Sequence, residues 1–310
     1  RLGSRNYYGE PMSIVNQGTL RADTPGQDII VETRNGTFTN RGSLQADNST
    51  LQVNRLAGSL GQVQLTNGGA LDLDGTYTVS QLLSLPAGTT LTLNGDWTNT
   101  SVISATNATA NLGGDFTLAD LGTVNRTGGT VNLVGTLRND ATTLALNATT
   151  GDWQLNGGTI ISGTITTAGA ARLVALSNGN NRLVGVTLDG ELELPEYNAR
   201  VRIANGLTLN GTLRMTGGYA TLIFEGSQTL SGSGTLAFEG SASQPRILEA
   251  TNPVTLTLGS GVTLRGGRAR LGSRNYYGEP MSIVNQGTLR ADTPGQDIIV
   301  ETRNGTFTNR

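Results

Sequence analysis

The sequence predicts an all-β protein folded as a parallel β-helix, or β-solenoid, in one continuous rod. Three observations lead to this prediction: a long exact repeat, short segments of alternating apolar and polar residues, and turn residues between those segments. The repeat is a 41-residue stretch that occurs as 1–41 and again, letter for letter, as 270–310. Exact return of a long stretch at a fixed offset indicates a repeat architecture.

The repeat also sets the expected domain organisation. Residues 1–269 form one full sequence period, and residues 270–310 begin the next identical copy. We therefore expect residues 1–310 to be a single continuous β-solenoid and a window on a longer periodic array. In such a fold each turn packs only on its neighbours along one axis. We expect about 20 residues per turn, a length typical of solenoid repeats.

Short segments with a period of two predict strands that are buried on one face. In each of them, two or three aliphatic residues alternate with mostly polar or small ones. The clearest examples are 71–74, 91–94, 144–147, 191–194, 207–210 and 254–258. No segment keeps a 3.6-residue period over a dozen residues, so we predict no helix.

Glycine and asparagine mark the turns between these strands, because both tolerate positive φ. A tripeptide of glycine, then Thr or Ser, then a strand-forming residue recurs after many turns. It begins at Gly18, Gly36, Gly42, Gly58, Gly75, Gly135, Gly163, Gly211 and Gly234. Asn-Gly turns also fit antiparallel hairpins, so a meander or sandwich is the alternative fold. Short strands, few aromatic residues and the long repeat favour the stacked coil.

Three segments interrupt the alternation and are predicted to be loops on the side of the solenoid. They are 6–11 with its copy at 275–280, then 195–200, and finally 241–245. Each contains a proline, which cannot donate a hydrogen bond to a neighbouring strand.

Composition excludes several classes of function. The formal net charge is −2 and no basic stripe is present, so we expect no nucleic-acid partner. No stretch reaches the ~18 to 20 apolar residues that cross a bilayer, so we expect no membrane insertion. The chain has no Cys, His or Lys. Thiolate metal sites, histidine acid–base chemistry and Schiff bases are therefore all excluded.

Two pairs of carboxylates are the best candidates for catalysis, because some parallel β-helices are glycosidases that use two carboxyl groups at a set separation. They are Asp72 with Asp74, and Glu191 with Glu193. Each pair alternates with leucines, which places it on the solvent face, where charges keep strands soluble. We therefore predict no enzymatic activity.

No cofactor is expected either. The Gly-Gly-x-Gly-x-Asp nonapeptide that binds Ca²⁺ in β-rolls is missing, and 67–72 matches it only in part. An oxygen-only Ca²⁺ site built from Asp and Asn on neighbouring turns stays an open alternative.

Paired tyrosines form the candidate lateral-contact loop. Tyr7 and Tyr8 recur as Tyr276 and Tyr277, each pair next to turn residues. Two adjacent phenol rings suit packing between solenoids or a platform for sugars. The alternative is that both rings lie over the surface of their own solenoid.

Four segments, 36–54, 75–99, 121–137 and 151–165, carry a resemblance to a known class. They resemble the strand-rich repeats of very large bacterial surface and secreted proteins, the filamentous-haemagglutinin-like and autotransporter-passenger class of right-handed parallel β-helices. The resemblance implies a right-handed coil and an elongated extracellular or cell-surface protein of adhesive or scaffolding type. It supplies no catalytic residue.

Repeat and resemblance together predict a structural segment of a long extracellular filament or giant surface protein, built from tandem or end-to-end stacked β-solenoid repeats. Its expected partner is itself, through head-to-tail stacking, adjoining repeats or lateral bundling, because identical ends propagate a contact without closing it. The alternative is an adhesin stalk that binds glycans or surfaces through its side loops.

Overall fold

A computed structural model describes residues 1–3, 10–272 and 279–310 of the chain. The fold is all-β, with parallel strands stacked as a β-solenoid of about 14 turns and almost no helix, which confirms the predicted class. The chain divides into two compact units, Arg1–Arg138 and Asn139–Arg310.

Strands of two to ten residues make up the first unit. They are β1 Leu2–Gly3, β2 Ile14–Asn16, β3 Thr19–Ala22, β4 Ile29–Glu32, β5 Phe38–Asn40, β6 Ser43–Asp47, β7 Thr50–Ser59, β8 Gln62–Thr66, β9 Ala70–Val79, β10 Leu83–Leu85, β11 Thr90–Leu93, β12 Asp96–Asn99, β13 Val102–Thr106, β14 Thr109–Leu112, β15 Asp115–Thr117, β16 Thr123–Thr127, β17 Thr130–Leu133 and β18 Thr136–Arg138.

Strands of three to ten residues make up the second unit. They are β19 Thr143–Leu146, β20 Trp153–Leu155, β21 Thr159–Ile161, β22 Thr164–Thr167, β23 Leu173–Ala175, β24 Arg182–Leu188, β25 Glu191–Leu194, β26 Arg200–Leu209, β27 Thr212–Met215, β28 Thr221–Glu225, β29 Gln228–Ser231, β30 Thr235–Phe238, β31 Arg246–Ala250, β32 Val254–Leu258, β33 Thr263–Gly266, β34 Ala269–Leu271, β35 Met281–Asn285, β36 Thr288–Ala291, β37 Ile298–Val300 and β38 Phe307–Asn309.

Strand pairing is parallel for every pair of strands in the described part of the chain. In the first unit, for example, β4, β7, β9, β11, β14 and β17 pair in succession. In the second unit, β23, β25, β27, β30, β33 and β36 do the same. Adjacent turns thus supply adjacent strands, and the antiparallel meander is excluded.

The length of a turn follows from the register of these pairs. In the first unit Leu51 pairs with Leu71 and Leu71 with Leu91, at the predicted interval of 20 residues. In the second unit Leu236 pairs with Leu264, because the segment between β30 and β31 lengthens that turn. The interval is therefore set locally by how many residues each loop contains.

The interior is filled by the apolar residues of the alternating segments. Leu71, Leu73 and their equivalents in other turns are essentially inaccessible to solvent, while the polar residues between them face outward. Trp97 packs on Phe116 with ring centroids 4.9 Å apart and donates its indole N–H to the Gly113 carbonyl at 3.0 Å.

The predicted loops at 195–200 and 241–245 fall largely between strands, after β25 and after β30. The helix in the described residues is a single turn, α1, which spans Leu118–Leu121 and agrees with the expectation of a chain with almost no helix. Thr117 caps it, with its hydroxyl accepting from the Asp120 N–H and the Asp120 carboxylate accepting from the Thr117 N–H. This capping box is local, and a four-residue helix leaves no periodicity to detect.

Among the described residues, no helix is both long and apolar enough to cross a membrane.

Candidate functional site

The first carboxylate pair lies on β9, on the outer face of the first unit. Asp72 is half-buried and accepts a hydrogen bond from the Asn94 amide at 3.1 Å, while Asp74 is exposed. The residues in register with Asp72 on the two neighbouring strands are Gln52 and Thr92. Burial raises the pKa of Asp72, the Asn94 hydrogen bond opposes this, and the charge of Asp74 adds to it. A second carboxylate from an adjacent turn is not brought to this position.

The second pair, on β25, is engaged by arginines of neighbouring turns. Glu191 accepts from Arg214 at 2.8 Å, and Glu193 accepts from Arg172 at 2.7 Å. The Thr216 hydroxyl also donates to Glu193 at 3.2 Å. These carboxylates are partners in ion pairs between turns, as expected for solvent-facing charges on strands.

The ion pairs continue along the second unit as a charge ladder. Beyond Glu191, Arg214 also binds Glu239 at 2.6 Å, and Glu239 binds Arg265 at 2.6 Å. Arg265 contacts Asp292 at 3.6 Å, and Asp292 lies 3.5 Å from Arg290. Opposite charges on successive turns favour the parallel register, although each partly exposed pair contributes at most about 1 kcal/mol.

Asparagines at the corners are buried and bind backbone groups of their own turn and of neighbouring turns. The Asn181 amide donates to the carbonyls of Leu176 and Arg200, and its oxygen accepts from the Gly157 N–H. Side-chain to side-chain ladders also occur, as in the pair Asn16 and Asn40 at 2.8 Å. The backbone contacts of buried asparagines such as Asn181 were not predicted.

Arg246 is a fully buried arginine that sequence reasoning missed. Its guanidinium donates to five backbone carbonyls, those of Met215, Thr216, Glu239, Ala242 and Gln244. Burial lowers the pKa of Arg246, and the charge of Arg268 contributes to the same effect. The side chain fixes the 241–245 loop, and its position directly after that loop was the only available signal.

The candidate lateral-contact loop, Tyr7 and Tyr8 with its copy Tyr276 and Tyr277, lies outside the described residues. It stays a prediction.

A different aromatic pair is exposed in the second unit. Tyr197, in the predicted loop after β25, is 57% exposed and meets Tyr219 edge to face, with ring centroids 5.5 Å apart. Because Tyr197 lies within a loop already predicted from its proline, the sequence contained the signal for this position.

Within the described ranges, no group of three or more Asp and Glu side chains is placed to hold a metal ion. The open alternative of a Ca²⁺ site gains no support from this arrangement, and the expectation of no cofactor stays a prediction.

The two copies of the repeat fold alike. Strand for strand, β3 corresponds to β36 and β5 to β38, while β2 and β4 match β35 and β37 within two residues at their ends. Side-chain contacts are also reproduced: Asn16 donates to Asn40 at 2.8 Å, and Asn285 donates to Asn309 at 2.7 Å. Equivalent settings are what a periodic array requires.

The copies differ in which side is covered by a neighbouring turn. In 1–41, Leu2 and Met12 are more than 40% exposed, whereas their equivalents Leu271 and Met281 are inaccessible beneath β31 and β32. The opposite is true of the phenylalanines: Phe38 of β5 is buried, whereas its equivalent Phe307 of β38 is 42% exposed. In each of these three pairs, the apolar residue that is exposed in one copy is buried in the other copy.

Comparison with protein-family models, with curated proteins and with solved structures finds no match to this chain. The class that the structure supports is therefore the parallel β-solenoid itself.

Proposed function

We propose that this chain is a structural segment of a long extracellular filament or giant surface protein, built from tandem or end-to-end stacked β-solenoid repeats. The observation that carries the proposal is the pair of identical 41-residue segments that form the same strands. One sequence that folds into the same strands at two places along the chain is what repetition along an axis would produce.

Chemistry of the surface supports a structural role over a catalytic one. Three of the four carboxylates that alternate with leucines, Asp72, Glu191 and Glu193, are bound by side chains of neighbouring turns, namely Asn94, Arg214 and Arg172. Charged groups that are engaged by partners from neighbouring turns contribute to the stability of the stack.

The proposed location, outside the cell or on its surface, rests on the resemblance of four segments to repeats of bacterial filamentous-haemagglutinin-like and autotransporter-passenger proteins. A chain without cysteine, held by packing and backbone hydrogen bonds, is compatible with that location, because its stability does not depend on a redox compartment.

Two measurements on the protein isolated from its source test this proposal. Its mass under denaturing conditions separates one giant polypeptide, many times the mass of one period, from subunits of a single period. Electron microscopy should show filaments with a regular axial repeat in either case. Compact particles of one mass, without any such repeat, would contradict a filament.

A second candidate function is an adhesin stalk that binds glycans through its side loops. The observation that favours it is the exposed Tyr197 ring beside Tyr219, since aromatic faces at the surface are suited to stack on sugars. Glycan-array binding that is lost in Tyr197→Ala but kept in Tyr77→Phe, a change at a buried ring, would support it. No binding by the unmodified chain would reject it.

A further inference from the structure

Each turn of the solenoid contains three strand positions. In the first unit, β4 pairs with β1, β5 with β2 and β6 with β3. In the second unit, β36 pairs with β33, β37 with β34 and β38 with β35. A strand that fills one position therefore pairs with the strand three positions earlier along the chain. We call these the first, second and third strand positions, with β1 in the first.

Four long strands of the described ranges fill two positions each. The first half of β9 pairs with β11 and its second half with β12. In the same way β7 pairs with β4 and β5, β24 with β21 and β22, and β26 with β28 and β29. The register shifts between Val53 and Leu56 of β7, and between Val184 and Val186 of β24. Such irregularities bend a strand, so each long strand can continue through a corner.

The number of strand positions in one sequence period follows by counting along the chain. In its described part, the equivalent strands β3 and β36 are 33 strands apart, and four of these strands count twice, which makes 37 positions. Thirty-seven positions are twelve turns and one position. Because β3 fills the third position of its turn, β36 fills the first position. The repeat and the turns therefore differ in phase by one strand position.

The repeated segment keeps its local structure in both settings. In the corner after β3, the Gln27 N–H donates to the Thr24 carbonyl at 3.0 Å, and the equivalent Gln296 N–H donates to the Thr293 carbonyl at 3.1 Å. The leucine of β3 lies in register with a leucine of β6, and the leucine of β36 with one of β33. One sequence fits different strand positions because each position offers the same alternation of apolar and polar residues.

We propose that in a tandem array each copy begins one strand position later in the turn than the copy before it. A side loop then returns to the same side of the solenoid only in every third copy. The inference rests on the proposed function, because it needs copies that follow one another along one axis. At about 4.8 Å per turn, equivalent loops follow one another at about 60 Å along the axis and recur on one side at about 180 Å.

The loop that contains Tyr197 shows what this phase does to the surface. Tyr197 is 57% exposed, beside Tyr219. Copies in phase would place all of these rings on one side of the array. Copies that differ by one position distribute them over three sides, so a partner with many binding groups, such as a glycan-bearing surface, is met from any direction. Many linked sites raise the avidity without any new contact.

The count is tested on the full-length chain, which has no cysteine of its own. One position fewer in any long strand would leave a whole number of turns and bring the copies into phase. Ala70→Cys with Thr90→Cys probes the first half of β9, and Thr76→Cys with Asp96→Cys probes its second half. Oxidised glutathione should link both pairs, since strands in register bring Cα atoms within the ~4.4 to 6.8 Å that a disulfide needs.

The matched control is Thr76→Cys with Thr98→Cys, which is offset by two residues and should stay reduced. Three further pairs of cysteine substitutions probe the second halves of β7, β24 and β26. They are placed at Ala57 and Thr76, at Thr164 and Thr187, and at Thr208 and Ser231. Disulfides at every pair except the control give the expected count. A second-half pair that stays reduced in a variant folded by circular dichroism overturns the count, and so does a disulfide in the control.

Electron cryomicroscopy of filaments isolated from the source tests the array itself. Equivalent strands of successive copies should lie in successive strand positions. Equivalent strands in the same position in every copy would overturn this inference and leave the filament standing. If no filament is found, the proposed function and this inference fail together, while the disulfide pairs still report the count in the chain.

Discussion

At the scale of single residues, the fold is held by polar groups buried at its corners. Asn40, Asn99, Asn139 and Asn181 are each at most 5% exposed, and each donates to a backbone carbonyl of another turn. Arg246, also buried, donates to five backbone carbonyls around one loop. A buried carbonyl without a partner is costly, so these side chains stabilise turns that the strand ladders do not reach.

Asn181→Ala should destabilise the second unit by about 2–4 kcal/mol, because it leaves the Leu176 and Arg200 carbonyls and the Gly157 N–H without their partner. Urea denaturation measures the free energy of unfolding. The neighbouring change Asn180→Ala, at an exposed residue, should cost less than about 0.5 kcal/mol. Equal losses in both variants would show that the buried amide is not responsible.

Asp72→Asn should stabilise the first unit at neutral pH and have little effect in acid. Burial raises the pKa of Asp72 above its ordinary value of 3.8, so the folded state binds the proton more tightly than the unfolded state does. The contribution of Asp72 to the free energy of unfolding is therefore fully present below pH 3.8 and is lost as the pH rises through the raised pKa. Asparagine keeps the contact with Asn94 and removes the charge. Denaturation in urea at acidic and neutral pH measures the difference, and a variant less stable at neutral pH would contradict it.

At the scale of turns and strands, glycines allow neighbouring corners to approach closely. A Cβ on Gly95 would lie 2.3 Å from the Gly75 carbonyl oxygen, and one on Gly114 would lie 2.1 Å from that of Gly95. Gly135 stands in the same relation to Gly114, at 2.3 Å. Glycine is thus required at these three corners, because the backbone of the adjacent turn occupies the space that a side chain would need.

Gly114→Ala should lower the free energy of unfolding by at least about 3 kcal/mol, because it combines a positive φ of 71° with this contact. Gly58→Ala is the control. Gly58 has a positive φ of 81° but open space around the added methyl, so it should cost about 1 kcal/mol. Similar losses for both would assign the effect to backbone conformation alone.

At the scale of the whole molecule, equivalent residues of the two identical copies contribute differently to stability, because different turns lie next to them. A Cβ added to Gly18 would meet no atom within 4 Å, whereas a Cβ added to its equivalent Gly287 would lie 2.3 Å from the carbonyl oxygen of Val262. The same contrast separates Met12, 41% exposed, from Met281, which is inaccessible. What a residue contributes in a solenoid therefore depends on whether a turn lies on each side of it.

Met281→Ala should destabilise its unit by about 2–5 kcal/mol, the cost of a cavity in a packed core. Met12→Ala, the same change in the same local sequence, should cost less than about 1 kcal/mol because the side chain is already exposed. Thermal and urea unfolding of the two variants measure the difference. A large loss for Met12→Ala would mean that another surface covers this residue in solution.

The sequence by itself determined the class of fold, the positions of six alternating segments that lie in strands, the parallel stacking and the loops at 195–200 and 241–245. It could do so because a period of two, turn glycines and prolines act over a few residues. The exact repeat added what local patterns do not contain, the equivalence of 1–41 and 270–310.

Only the tertiary structure decided which polar groups are buried and what each charge binds. The partners of Asn181, Arg246 and Glu239 lie up to 31 residues away, in an adjacent turn whose length its loop sets. The side of each copy that stays bare also depends on neighbours along the stack. A contact between turns is a property of register, and register follows from the packing of the whole stack rather than from any one segment.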